Sequence, residues 1–531
     1  GIDLLIISPN ASASLTPAIE KVYKKIPVIV LDRAIDGYDY TLYIGPDNEA
    51  IGRKAGEYVA ELLGEKGGNV IEVQGLYGSP PVRDRHKGFM EVIDQHSNIK
   101  VIRTVFADWQ RDKAEDSICK ILLEEPKVDV IFAQNDPMAY GGYLAAQKLG
   151  LGGIKFVGVD GLSGTEGGLE LVEHGMLSGT FTCSTGGKEA VQYALDILNR
   201  KSGIPKKIIL RSSQVTSSNV HNYIYKEAGA PKKERPANKK ITVGFSQVGT
   251  ETEWRIANTN SILSAAREAG FDMIYQNAEG SPQTQIDSIR DFIKRKVDVI
   301  ILAPIIETGW DEVLEEAKQA NIPVILSNRY IKVNDEALFK AWVGSDFVEQ
   351  GRRVAKWLVD YLDESEETVN IVEIEGTKYS ASSVDRKSGF YEVLKNYKNY
   401  RSIRSISTDY FKADGKKAME QILKEENRKI NVVFAYGDDL ALGAIQSIEE
   451  AGLKPGKDIM VVSVDGQKSA FKAMIVGKLN CTVENNPLFG PQIMKVVNDI
   501  MDGKDIPIRI ISSEGVFPAS TAKFELPNRK Y

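Results

Sequence analysis

Trp254 and Arg255 stand side by side at the end of ITVGFSQVGTETEWR (residues 241–255), after an apolar alternation at Ile241, Val243 and Phe245 that stops at Ser246. A flat indole can lie against a C–H face, and a guanidinium fork donates several hydrogen bonds at fixed angles. With carboxylates nearby, these groups suit a polyhydroxylated small molecule, whose hydroxyls both donate and accept. By its type alone, Trp254 is also a candidate core aromatic. Groups for covalent chemistry are harder to find. The chain has no GxSxG elbow and no HExxH pattern, and His86, His96, His174 and His221 are not at metal-ligand spacing. Gly186-Gly187-Lys188 is a fragment of a phosphate loop with Glu189 where Ser or Thr is needed. Asp438 and Asp439 are adjacent at an expected helix start, where neighbours do not face each other, so they are a poor metal pair. Cys119, Cys183 and Cys481 are widely separated with no CxxC pair, which implies neither a disulfide framework nor a zinc site. The side chains point to binding rather than catalysis, with no cofactor.

Such groups need a frame that brings them to one place. The run 241–246 reads as a first strand delivering polar and aromatic side chains to its carboxyl end, where open parallel α/β sheets hold ligands. Further on, residues 297–303, 324–327, 369–374, 432–435 and 459–464 are short Val- and Ile-rich runs, suited to parallel strands buried on both faces. Between them, residues 308–320, 347–362 and 385–397 carry apolar side chains at helical spacing. Repeated strand–helix units predict right-handed crossovers and doubly wound sheets.

The chain also repeats itself. IDLLIISPN (2–10) matches VDVIILAPI (297–305), and IPVIVLDR (26–33) matches IPVILSNR (322–329). YIGPDNEAIGR (43–53) matches WVGSDFVEQGR (342–352), NVIEVQG (69–75) matches NIVEIEG (370–376), and DRHKGF (84–89) matches DRKSGF (385–390). The second copy has a front end, residues 241–296, that supplies strand, helix, strand and helix ahead of VDVIILAP. The first copy opens directly at IDLLIISP, and without those strands its sheet is expected to expose an apolar edge. The expected organisation is therefore a truncated domain over 1–219, a basic, proline-bearing tether over 220–240 containing Pro231 and Pro236, whose first half reads equally as a closing helix of the first domain, and a complete domain over 241–531. Each copy exceeds one ordinary sheet, so two lobes with a cleft are expected in each.

Taken together, FSQVGTETEWR, APIIETGW and AGLKPGKDI make residues 241–531 resemble a type I periplasmic sugar-binding protein of the galactofuranose-binding branch. Residues 1–219 are similar to ribose-type binders of the same superfamily and to sugar-sensing ectodomains of some bacterial sensor kinases. The resemblance implies two lobes closing over a sugar. In the second domain it assigns ligand contacts to Gln247, Glu251, Trp254 and Arg255 after the first strand, and to Asn328 and Arg329 after the fourth. From the facing lobe it assigns Arg386, Asp438, Asp465 in VSVDG and Glu484 in TVENNP. In the first domain it implies Asp32, Arg33, Arg85, Asn135 in AQNDPM and Asp160 in VGVDG. Arg386 is also placed to pair with Asp385 as a helix cap, and Asp465 before Gly466 is a good turn former. The branch pattern has Asn where this sequence has Gly437, and Asp-Arg where it has Asn328-Arg329. Both changes are expected to remove polar function from one corner of the pocket, favouring a related furanose or pentose. Cys183 stands where ribose-type binders have Gln, so a different specificity is expected for the first domain.

At 531 residues the chain is long enough for two to four folding units. Its 42% apolar and 26% charged residues describe a globular protein, and no apolar run approaches membrane-spanning length. A formal charge of −6 argues against nucleic acid as a partner. No leader segment is present in these residues, and the repeat suggests sequence missing upstream. A place outside the cytoplasm, periplasmic or extracellular, is expected, with a secretory or lipoprotein leader upstream. The expected partners are a monosaccharide and a membrane permease or sensor kinase. The alternatives are the effector part of a lactose-repressor-type regulator, and a glycoside-cleaving enzyme using carboxylates such as Glu251 and Asp465.

Overall fold

The computed structural model describes residues 1–10, 12–125, 127–224, 240–249, 252–362, 367–427 and 429–531. Most of the expected tether, 225–239, and Glu251 lie outside the described residues. The chain folds as two compact units, Gly1–Glu234 with Ile506–Ile508, and Arg235–Asp505 with Arg509–Tyr531.

The second unit has two lobes. In one, parallel strands lie in the order Asp272–Asn277, Thr242–Gln247, Val299–Leu302, Val324–Asn328, Ala341–Gly344 and Arg509–Ile511. In the other, the order is Tyr400–Ser407, Val369–Glu375, Val432–Ala435, Met460–Asp465, Cys481–Glu484 and Val516–Pro518, only the last being antiparallel. Central strands such as Val299–Leu302 and Val432–Ala435 are buried at every position. This is what continuous Val and Ile runs require of a sheet covered by helices on both faces. Apolar clusters on either side of the second sheet, around Val433 and Phe471 on one face and Phe390 and Phe434 on the other, confirm the doubly wound build.

The first unit repeats the second lobe strand for strand: Ile99–Phe106, Gly68–Gln74, Val130–Ala133, Lys155–Val157, Gly179–Phe181 and antiparallel Gln214–Thr216. Even the register shift recurs, between Val70 and Ile71 in one copy and Ile371 and Val372 in the other. Its other sheet holds Leu5–Ile7, Val28–Leu31, Leu42–Pro46 and Lys207–Leu210 in parallel order. Leu5–Ile7 is the counterpart of Val299–Leu302, so the first strand–helix–strand–helix of the second unit has no counterpart among the described residues of the first.

One helix pair sets the geometry of the cleft. Phe347–Leu362 packs on Ala381–Leu394 with Gly351 and Gly389 at the crossing. A Cβ on Gly351 would run into the Arg386 carbonyl, and one on Gly389 into the Val348 carbonyl. Backbone-to-backbone approach is possible only because both positions lack side chains. Gly52 and Gly88 do the same in the first unit, against the Arg85 and Glu49 carbonyls. The close crossing anchors Arg386 and Arg85 on the helix turn that faces the cleft. Replacing Gly389 by Ala is expected to cost about 1–3 kcal/mol through overpacking, read as a lower urea midpoint at unchanged slope for the second unit.

Candidate ligand-binding site

Between the lobes of the second unit lies a cavity of about 600 Å³, in the size range of small-molecule sites. Its walls come from strand ends and first helical turns of both lobes. Thr252 caps helix Glu253–Glu268, its hydroxyl accepting from the Arg255 amide at 3.2 Å. The cap therefore starts the helix and places Trp254 and Arg255 in its first turn at the cavity wall. The Trp254 indole donates to the Asn485 carbonyl at 2.5 Å, and the Arg255 guanidinium lies 5.0 Å from the indole ring. Gln247 is fully buried behind them, accepting from Arg255 Nη1 at 3.3 Å and donating to Asn258 and Thr259 at 3.0 Å.

Asn328 ends its strand with φ +67°, a left-handed turn that aims the side chain into the cavity. The Trp342 indole donates to the Asn328 carbonyl at 3.1 Å and holds that turn. Asn328 Oδ1 is buried with no hydrogen-bond partner among the described residues, an acceptor open to a ligand hydroxyl. Arg329 lines the wall beside it, donating to the Ile305 carbonyl at 3.2 Å.

From the other lobe comes Arg386, only 1% exposed. It donates to Gln350 Oε1 at 2.8 Å, the Tyr436 carbonyl at 2.7 Å and the Tyr410 hydroxyl at 3.3 Å, and Nη2 sits 4.0 Å from Asp465 Oδ1. No Asp385 pairing accounts for it. Asp465 ends its strand at φ +132°, a conformation rare for an L-residue, and accepts from Asn485 Nδ2 at 3.1 Å and the Asp438 amide at 3.2 Å. Burial raises the Asp465 carboxyl above its ordinary range, and the Arg386 guanidinium opposes that shift.

Of the residues the sequence singled out, Trp254, Arg255, Asn328, Arg329, Arg386 and Asp465 meet at this cavity. Gln247, Asp438 and Glu484 do not line it. Asp438 is fully buried and accepts from Ser463 at 2.5 Å, the Gln467 amide at 2.7 Å and Thr482 at 2.8 Å. Its neighbour Asp439 turns to the cavity instead. Glu484 is bound by Arg529 at 2.6 Å, the Tyr531 hydroxyl and the Gly515 amide. Phe347, Tyr410 and Asn485 also line the cavity and were not expected. Asn485 follows the carboxyl end of strand Cys481–Glu484, where the rule for parallel sheets would have found it.

Tyr410 alters the expectation for Gly437. A Cβ at Gly437 would lie 3.1 Å from Tyr410 Cδ1 and 3.2 Å from Asp465 Oδ2. The corner is filled by the phenol, whose hydroxyl meets Ser382 at 3.1 Å and Ser383 at 3.3 Å. A polar group reaches that corner from a different strand end.

In the first unit, Asp32, Arg33, Arg85, Trp109, Asp160 and Cys183 form the corresponding cluster. The Arg33 and Arg85 guanidiniums lie 5.9 and 5.8 Å from the Trp109 ring, and Arg85 Nη2 is 3.3 Å from Cys183 Sγ. Asn135 caps helix Asp136–Lys148, accepting from the Met138 amide at 3.0 Å and donating to the Trp109 carbonyl at 3.2 Å. Burial pushes the Asp160 carboxyl up to about 6 against the pull of Arg85.

Comparison with known proteins fits this geometry. Residues 1–217 and 243–505 match the family described as periplasmic binding protein domain. The chain belongs to that family, and its two lobes per copy are those of the type I members. It is 40% identical over 293 residues to the galactofuranose-binding protein YtfQ of Escherichia coli (strain K12), 55% of this chain and 92% of the relative. A Mycobacterium smegmatis structure in complex with β-D-fucofuranose is 43% identical with a TM-score of 0.53, covering 55% of this chain and 95% of the other. The binding protein of the arabinose ABC transporter from Shewanella sp. ANA-3, bound to α- and β-L-arabinofuranose, is 41% identical with a TM-score of 0.53, covering 54% and 95%. These relatives are named for binding rather than catalysis.

Two outcomes test the site's electrostatics and packing. Gly437→Asn is expected to destabilise the second unit by about 1–3 kcal/mol through overpacking against Tyr410, with Tyr410→Ala recovering part of that loss in a double-mutant cycle read by urea unfolding. For Asp160, an unfolded aspartate ionises near about pH 4 while the folded one holds its proton to about 6. Unfolding therefore releases a proton between these values, and the first unit's stability falls as pH rises across that window. Asp160→Asn is expected to flatten this fall in urea midpoints measured from pH 4 to pH 7.

Proposed function

We propose that the protein is an extracytoplasmic carbohydrate receptor whose second unit closes its lobes on a furanose or a related pentose or hexose. The observation that carries this reading is the cavity wall. Arg255, Arg329 and Arg386 converge there with Asp465, the open acceptor of Asn328 and the aromatic faces of Trp254 and Phe347. A sugar presents hydroxyls for the polar groups and a C–H face for the rings, and buried charged partners discriminate epimers better than an apolar wall. The furanose-binding names of the relatives support the same class. Gln247 positions Arg255, while Asp438 and Glu484 hold the strand ends on which Asp465 and Asn485 sit.

Closure is the signal. Ligand groups contributed by both lobes favour the closed form by their differential affinity for it. In a transport system the closed form docks on a membrane permease; in a sensor it changes the geometry of a downstream segment. Among the described residues no helix is long and apolar enough to cross a membrane, so either role needs a separate membrane partner or a segment outside these residues. The transport names of the relatives favour this reading over an effector domain of a transcriptional regulator. Residues 1–219 are read as an incomplete domain with the half-site Asp32, Arg33, Arg85, Asn135 and Asp160, joined by 220–240 to the complete domain 241–531. Exported placement, by a secretory or lipoprotein leader, follows from the same reading.

Calorimetric titration of the full chain with a galactofuranoside, L-arabinose, D-fructose, D-ribose, D-xylose and D-galactose tests it. Micromolar or tighter binding to one of them is expected. Arg386→Ala and Trp254→Ala should weaken it by roughly ten- to a hundredfold, the worth of one charge-assisted contact. No heat with any sugar, from protein shown to be folded, overturns the reading.

A further inference from the structure

The chain of the second unit passes between its lobes at 345–346, at 485–489 and at 512–515, each segment joining a strand of one lobe to an element of the other. Glu514 gathers these segments. Its Oε1 accepts from the Asn486 amide at 3.1 Å and from the Ser512 hydroxyl at 3.2 Å, and the Ser345 hydroxyl also bonds the carboxyl. Its Oε2 accepts from Gln350 Nε2 at 2.8 Å. Glu514 does not line the cavity.

Its effect reaches the cavity through two amides. A side-chain amide has a donor end and an acceptor end, whereas an ionised carboxylate only accepts. Glu514 therefore takes the donor end of buried Gln350 and leaves Gln350 Oε1 to accept from Arg386 Nε at 2.8 Å. Gln350 Nε2 also donates to Asn485 Oδ1 at 3.3 Å, which leaves Asn485 Nδ2 to donate to Asp465 Oδ1 at 3.1 Å. A reversed Gln350 would set its oxygen against the Glu514 carboxylate and its NH2 against the guanidinium. One acceptor at the crossing segments thus sets the polarity of both amides, and these hold the charged pair that faces the cavity.

The first unit shows the members changing as a set. Lys207 pairs with Tyr43 as Arg509 pairs with Trp342, and Val215 pairs with Thr180 as Phe517 pairs with Thr482. Both registers make Ser212 the counterpart of Glu514. By the same count Ile51 stands for Gln350 and Cys183 for Asn485, while Pro46 and Leu210 stand for Ser345 and Ser512. Arg85 Nε there finds Asn48 Oδ1 at 2.9 Å, from the position that Phe347 occupies in the second unit. Where the carboxylate is absent, both amides are absent too, and the arginine is held another way.

We infer that Glu514 is a positioning residue for the second unit's ligand site, fixing through Gln350 and Asn485 the orientation in which Arg386 and Asp465 meet a ligand. The relay rests on the sugar-receptor reading for its effect on affinity alone.

The test follows the Arg386 Nε–H signal by solvent exchange in the full chain labelled with 15N-arginine, the signal being assigned by its loss in Arg386→Lys. Burial lifts the Glu514 carboxyl to about 7, so the measurement is made at about pH 8, where it is ionised. Glu514→Gln keeps size and shape, but its oxygen must stay with the fixed Asn486 N–H, so its NH2 turns to Gln350 and reverses it. Exchange at Arg386 is expected to quicken about tenfold or more. Glu514→Ala removes more bonds and lowers the urea midpoint further, yet it leaves Gln350 free to keep Oε1 on Arg386, so exchange there should quicken less than in Glu514→Gln. A group that merely braces the hinge gives the opposite order. Adding Gln350→Glu to Glu514→Gln restores a donor-to-acceptor run and should return exchange to within about threefold of the unsubstituted chain; this pair decides the matter if the Ala variant does not fold. Unchanged exchange in Glu514→Gln, a larger effect in Glu514→Ala, or no recovery in the pair overturns the relay. Affinity for whichever sugar the chain binds should fall about tenfold in Glu514→Gln. An unsubstituted chain that binds no sugar overturns the receptor reading instead, and the Arg386 signal still decides the relay.

Discussion

A guanidinium buried to about one per cent exposure is the constraint around which the second unit's cleft is arranged. Arg386 cannot leave water unless its donors are met, since an unpaired buried charge costs several kcal/mol. Gln350, the Tyr436 carbonyl and the Tyr410 hydroxyl meet three of its bonds, and Asp465 stands 4.0 Å from the remaining nitrogen. Each partner comes from a different element, so meeting the charge fixes the helix pair, the end of strand Val432–Ala435 and the strand end carrying Asp465 relative to one another. Arg85 repeats the arrangement in the first unit with Asn48, the Gln134 carbonyl and Cys183.

The acids divide the work by burial. Asp438 is enclosed by two hydroxyls and an amide and ties the start of its helix to two strands. Burial and the nearby Asp465 both raise its carboxyl above the ordinary range. Asp465 pairs instead with Asn485 and faces Arg386 and the cavity, in a strained backbone held from both sides. One carboxylate maintains the frame, and the other is presented by it.

The two copies show how such a frame accepts new walls. Tyr410 and Gly437 in one are Trp109 and Asn135 in the other, and Asn485 is replaced by Cys183. When the helix start has Asn, its amide caps the helix and holds the aromatic residue's carbonyl. When it has Gly, the ring moves in against the vacated position. An aromatic ring is kept at the corner while its polar group changes, which alters what the corner can recognise.

The sequence by itself determined the strands, the helices and the duplication, because Val and Ile runs, helical spacing and matched motifs are local or repeated signals. It also located the cleft, since polar residues cluster where apolar strands stop. Trp254 and Arg255 were legible for that reason, whereas Asn328, Arg329, Arg386 and Asp465 came from the resemblance to sugar-binding proteins. What tertiary structure alone decided was direction. Asp438 and Asp439 are neighbours of one type, yet one faces Ser463 and Thr482 and the other the cavity, because a helical step of about 100° swings adjacent side chains apart. Gln247 and Glu484 sit at strand ends but are turned into partners that only the folded chain brings near. Tyr410 and Phe347 reached the cavity unannounced for the same reason. Their places depend on a gap left by Gly437 and on a helix crossing set by Gly351 and Gly389, and neither is a property of any one stretch of sequence.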